Sequence, residues 1–188
     1  MTTFIYDKLI AVTNRTLCQR DYLTQIERIC DHHPRAVLLR EKDLPLEEYI
    51  DLARSVQEIC ASHDVPLIIH NYAEAASALE IPRLHLPLSR LRELNSPQNY
   101  EMLGTSCHSM EQLREAISLG VSYVFFGNVY ETTCKPGVSA KGLRLLHDIC
   151  DAAPFPVYAI GGISPERLPA VLDAGAAGGC MMSGFMTL

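Results

Sequence analysis

The sequence predicts an α/β fold, a compact (β/α)₈ TIM barrel in which the eighth outer helix is short or missing. Three observations carry this. Eight short apolar runs, each suited to burial on both faces, punctuate the chain, and most are followed by a helical pattern. Their spacing, about 20–25 residues per βα unit, implies parallel strands joined by right-handed crossovers, in a barrel or a doubly wound sheet. The last two runs end in small-residue turns, Gly161-Gly162 and Ser183-Gly184. Paired turns of this kind follow strands seven and eight of many barrels, and with the count of eight they favour the barrel.

In order, the first strand is Leu9–Thr13, before a helix near Tyr22–Cys30. The second is Ala36–Arg40, followed by a loop with Asp43 and Pro45 and a helix over Glu47–Ala61. The third, Pro66–His70, leads into the Ala-rich helix Ala73–Leu79. The fourth, Arg83–Leu86, is short and runs into a Leu-rich turn at Ser89–Leu94. The fifth, Met102–Ser106, precedes a helix over Met110–Leu119 that Gly120 stops. The sixth, Tyr123–Phe126, opens the long loop Gly127–Gly137 and a helix over Gly142–Cys150. The seventh is Pro156–Ile160. After it, Ser164-Pro165-Glu166 reads as an N-cap, a first-turn proline and an acidic residue at the positive end of a helix reaching about Asp173. The eighth is Gly179–Met182.

No linker or low-complexity stretch divides residues 1–188, so one domain is expected. Strand one begins almost at once, and only Phe185–Leu188 follow the last strand turn. A barrel of this kind typically has ~250 residues, so one flank should be thinly covered, an argument for a homodimer. The chain is 48% hydrophobic and 20% charged, ordinary for a globular protein. A formal charge of −6 argues against nucleic acid or an anionic membrane as partner. No apolar run reaches the ~20 residues that span a bilayer, and the start lacks the pattern of a secretory signal. Seven cysteines without a Cys-x-x-Cys pair read as thiols in a reducing cytoplasm rather than as a zinc site.

In a parallel barrel, polar residues at strand C-termini meet at one mouth. Strand two delivers Arg40 and Lys42, two apart and suited to anionic oxygens, although a solvated charge cluster is the alternative. Strand three brings His70 and Asn71, strand five Ser106 and His108, and loop six Thr132, Cys134 and Lys135. Gly161, Gly162, Met182, Ser183 and Gly184 are the candidate phosphate anchor, offering backbone N–H groups; alternatively the glycines only make tight turns. His108 is the candidate acid/base, since imidazole exchanges protons near neutral pH, though a histidine at a strand end is as often a capping residue. No carboxylate pair sits at the mouth, so neither a metal nor another cofactor is expected.

The segments Leu-Arg-Glu-Lys (39–42), Gly-x-Ser-x-His (104–108), Gly-Asn-Val-Tyr-Glu-Thr-Thr-Cys-Lys-Pro-Gly (127–137), Ala-Ile-Gly-Gly-Ile (159–163) and Met-Ser-Gly (182–184) together resemble the thiamine-phosphate synthase and thiazole tautomerase (TenI) superfamily. The likeness covers essentially the whole chain, in the family's order and spacing. It implies a (β/α)₈ barrel that binds a thiazole phosphate against the turns after strands seven and eight.

Departures from the synthase pattern bear on the branch. The resemblance places Gln where Leu38 stands, Asn-Asp with a Mg²⁺-binding Asp where His70-Asn71 stand, and a second metal-binding Asp where the sequence reads Pro87-Leu88-Ser89-Arg90. It places a second Thr where Cys134 stands. Loss of both carboxylates removes the hard oxygen ligands of a Mg²⁺. The tautomerase, which needs no metal, is therefore the expected activity: His108 would move a proton to aromatise a carboxythiazole phosphate. A thiamine-phosphate synthase joining thiazole phosphate to a pyrimidine pyrophosphate is the alternative. A non-catalytic, thiazole phosphate-binding relative is the third reading.

Overall fold

Buried apolar runs of four to six residues become strands here because both faces of each are covered, inside by neighbouring strands and outside by helices. The computed structural model describes residues 3–132, 137 and 139–188. Its strands are β1 (Leu9–Val12), β2 (Ala36–Leu39), β3 (Leu67–His70), β4 (Arg83–Leu86), β5 (Met102–Cys107), β6 (Tyr123–Gly127), β7 (Val157–Ile160) and β8 (Gly178–Met181). They follow one another in chain order around a closed barrel, as the sequence predicts. The helices are α1 (Thr3–Tyr6), α2 (Tyr22–Asp31), α3 (Leu46–Ser62), α4 (Ala73–Ala78), α5 (Leu88–Leu91), α6 (Met110–Ser118), α7 (Gly142–Ala152), α8 (Leu168–Asp173) and α9 (Ser183–Met186).

The chain divides into two compact units, Met1–His85 with Met182–Leu188, and Leu86–Met181. In the first, β1 pairs with β2 (Ile10 opposite Ala36), β2 with β3 (Val37 opposite Leu67) and β3 with β4 (His70 opposite His85), all parallel. Ile26 and Ile29 of α2 and Tyr49 and Val56 of α3 are fully buried over these strands. Helix α2 starts where Asp21 accepts a hydrogen bond from Thr24 N at 3.0 Å, satisfying a donor with no intrahelical partner. Tyr49 also carries a polar link: its hydroxyl donates to Leu39 O (2.6 Å) and accepts from His70 N (3.2 Å), fixing the ends of β2 and β3. Four-residue α9 is the reduced eighth helix, and it buries Phe185 and Met186 within this unit. Gln25 Nε2 donates to Phe185 O at 2.6 Å, tying α9 to α2.

In the second unit β5, β6, β7 and β8 pair in parallel, with Gly104 opposite Tyr123, Val124 opposite Val157 and Tyr158 opposite Gly178. Leu113 of α6, Leu146 and Ile149 of α7, and Val171 of α8 are fully buried. The sequence places the start of α8 too early. Ser164 does not cap a helix; its carbonyl accepts from Arg167 N and Leu168 N, closing a turn that delays the helix to Leu168. Arg167 is held instead by tertiary contacts, donating to Gly162 O at 2.7 Å and stacking 4.6 Å from the Tyr130 ring centre. The expected turn after β4 is in part a helix, α5. β8 ends at Met181, leaving Met182 beyond the strand.

Candidate functional site

At the C-terminal end of β2 the sequence Arg40-Glu41-Lys42 looks like a solvated charge run, yet Glu41 is 2% exposed. Its carboxylate accepts from Thr13 Oγ1 (2.7 Å), Tyr22 OH (2.9 Å) and Arg15 N (3.1 Å to each oxygen), with the Arg15 guanidinium at 3.7 Å. Burial, then the Glu41 charge, pushes the Tyr22 phenol well above its ordinary range, so it stays a donor. Thr13 Oγ1 accepts in turn from Arg40 N at 2.9 Å. Arg40 is therefore positioned through a relay from a buried carboxylate. Its Nη1 lies 4.0 Å from the Met182 sulfur, which brings it to the start of α9; the turn expected at Ser183-Gly184 is instead the first residues of that helix, with Met182 as its N-cap.

Arg40 and Lys42, expected at the end of strand two, lie past β2, which ends at Leu39; Arg40 is half-buried and Lys42 exposed. Both still act on His70 at the tip of β3. Burial, with the charges of Arg40 and Lys42 adding, pushes the His70 imidazole down to about 3. His70 stacks on His85, with ring centres 5.9 Å apart and planes 18° apart. His85 is held well below its ordinary range by burial and then by His70. Asn71, next along, has φ +71° and donates its N–H to His85 O at 2.9 Å.

In the second unit Ser106 and His108 lie at the end of β5 and just beyond it, both half-buried, with Cys107 buried between them. His108 is fixed from two sides. Its Nδ1 sits 2.5 Å from Gly127 O, and its backbone N–H donates to Gln112 Oε1 at 2.7 Å. A carbonyl only accepts, so Nδ1 carries the proton and Nε2 is the nitrogen left for other contacts. Gln112 is itself set by Ser109, which caps α6 by accepting from Gln112 N. This Ser-x-x-Gln spacing is a capping-box signature, and it marks the support of His108 in the sequence.

The turn after β7 depends on its glycines. Gly161 and Gly162 have φ +94° and +67°, and a Cβ on Gly161 would lie 2.4 Å from Asn128 Cβ. Tyr130 N donates to Gly161 O at 3.1 Å, tying the loop after β6 to this turn. Thr132 lies half-buried on that loop, while Cys134 and Lys135 fall outside the described residues. Among the described residues, no group of three or more His, Cys, Asp or Glu could hold a metal ion. The two carboxylates following β2 are engaged: Glu41 as above, and Asp43 by a two-pronged bond from Arg15 at 2.7 and 3.1 Å. A cavity of about 410 Å³ lined by Gln57, Cys60, Asp64, Pro66, Glu80 and Arg83 lies at the opposite, N-terminal ends of β3 and β4.

The profile of the family described as "Thiamine monophosphate synthase" matches residues 9–185. Thiamine-phosphate synthase 2 of Streptococcus pneumoniae is 31% identical over 185 residues, covering 95% of this chain and 87% of the relative. The thiamine-phosphate synthase of Clostridium acetobutylicum is 31% identical over 186 residues, covering 96% and 87%. The solved thiamine phosphate pyrophosphorylase of Pyrococcus furiosus superposes with a TM-score of 0.83 at 24% identity, over 96% of this chain and 88% of that one, and shows the same fold. These findings overturn the expected tautomerase activity: the full-length relatives at about this identity are named as synthases. The missing carboxylates speak to a metal, and they do not by themselves select another reaction.

Proposed function

The chain belongs to the thiamine monophosphate synthase family, and from that premise we propose that it is a transferase joining a thiazole phosphate to a pyrimidine pyrophosphate, with release of pyrophosphate. The observation that carries this reading is full-length similarity to named synthases, with Arg40 held on a buried relay beside the start of α9. As the bond to pyrophosphate breaks, negative charge grows on the departing oxygen. Positioned cations and N–H donors that meet this charge stabilise the transition state, at little cost in reorganisation.

In the first unit we assign Arg40, Lys42, His70, Asn71 and the start of α9, Met182 to Gly184, to substrate binding. In the second we assign Ser106, His108, Thr132 and the Gly161–Gly162 turn, and Lys135, which lies outside the described residues, is assigned with them. His108 acts here through Nε2, as a hydrogen-bonding group oriented by Gly127 O. His70, kept neutral, supplies a ring nitrogen and not a charge.

The test is direct. Purified protein incubated with thiazole phosphate and the pyrimidine pyrophosphate should form thiamine phosphate and release pyrophosphate in equal amounts. Absence of coupling by folded protein, with and without added Mg²⁺, would remove the reading.

A further inference from the structure

We infer that this chain binds the diphosphate of its substrate without a divalent cation, countering the charge with Arg40 and Lys42. The inference rests on the synthase reading for the identity of the substrate, but its physical basis is the donor set. Mg²⁺ takes hard oxygen ligands, usually one or two carboxylates, in strict octahedral geometry. Where the family resemblance implies metal-binding Asp residues, this chain has Asn71, a neutral amide, and the stretch Pro87-Leu88-Ser89-Arg90, which holds no carboxylate. Neither nearby carboxylate can substitute. Glu41 is buried with its oxygens accepting from Thr13, Tyr22 and Arg15, and Asp43 is clamped by the Arg15 guanidinium.

The local field points the same way. Arg40 and Lys42 place two positive charges just past the end of β2, and positive charge there repels a divalent cation while it attracts an anion. Arg40 is also pre-positioned: Thr13 Oγ1 fixes its backbone, so less freedom is lost when its guanidinium meets phosphate oxygens. Such a site replaces a bridging metal by two side-chain cations.

Calorimetric titration of the whole protein with inorganic pyrophosphate, in chelator and then in Mg²⁺, tests this. Binding in chelator is expected, with Mg²⁺ tightening it by much less than ten-fold. Arg40→Ala and Lys42→Ala should each weaken it about ten-fold, the factor that goes with losing one charge-assisted hydrogen bond. Lys42 is exposed, so its variant keeps the test usable if Arg40→Ala unfolds. Binding that appears only with Mg²⁺, tightens ten-fold or more with it, is absent under both conditions, or is unchanged in the folded variants overturns the inference. The synthase reading fails separately: pyrophosphate bound without metal but no coupling removes that reading alone, and coupling with strictly Mg²⁺-dependent pyrophosphate binding removes this one alone.

Discussion

Replacing Glu41 by Gln should destabilise the protein severely even though the two side chains are almost the same size. The carboxylate accepts from Thr13 Oγ1, Tyr22 OH and Arg15 N, and every one of these partners is a donor toward it. Gln presents an N–H₂ where one oxygen stood, so a donor faces donors and at least one buried group loses its partner. Hydrogen bonds to a charged group contribute about 1.5–3 kcal/mol each, and a buried unsatisfied group costs about 1–3 kcal/mol. Allowing for rotation of Thr13 and Tyr22 to new partners, a net loss of roughly 3 kcal/mol is expected. At roughly 2–4 °C per kcal/mol for a chain of this size, the melting temperature should fall by about 10 °C. Urea unfolding at neutral pH gives the free energy, and calorimetry gives the temperature. The loss should be shared by Thr13→Val, which breaks the same relay at its middle, and the double variant should lose less than the sum. A change below about 1 kcal/mol in Glu41→Gln would refute the argument, since that is the level of an exposed ion pair.

Two further outcomes follow from the same unit and its neighbour. Folded His70 titrates at about 3, below its unfolded value near 6.5, so its contribution is fully present above 6.5 and is lost as pH falls toward 3. Between pH 7.5 and 5 this should remove roughly 2 kcal/mol, with His85 adding in the same direction, and His70→Gln should flatten the profile of urea midpoints. Gly161→Ala should cost about 2–4 kcal/mol, because a methyl would meet Asn128 Cα at 2.6 Å while φ sits at +94°; unchanged thermal stability would show that the turn relaxes freely.

The strands were readable because burial on both faces leaves a continuous apolar signature, as in Leu67–Ile69, and no tertiary contact can hide it. The start of α8 was not, because Ser164-Pro165-Glu166 has the local composition of a cap, while Arg167 is drawn away onto Gly162 O and the Tyr130 ring. Glu41 was the largest miss. Its partners Thr13, Arg15 and Tyr22 stand 28, 26 and 19 positions away, so nothing local marks it as buried. His108 fared better: Ser109 and Gln112 announce a helix start behind it, although its bond to Gly127 O had to be seen. The reaction was misjudged because side chains at two metal positions were weighed above similarity along the whole chain.

The division of the chain also bears on the order in which the protein can mature during synthesis. Residues 86–181 form a contiguous unit and hold all their internal partners once they have emerged from the ribosome. The first-made unit must wait: Phe185 O, the acceptor for Gln25 Nε2, is synthesised 160 residues after Gln25. Until then Gln25 lacks this acceptor and the contact between α2 and α9 is unmade. The first unit is thus the one whose closure depends on the last-made segment, and it stays incomplete for nearly the whole of synthesis. Closures of such long sequence separation are slow, which makes this open interval the stage most exposed to aggregation and to chaperone capture.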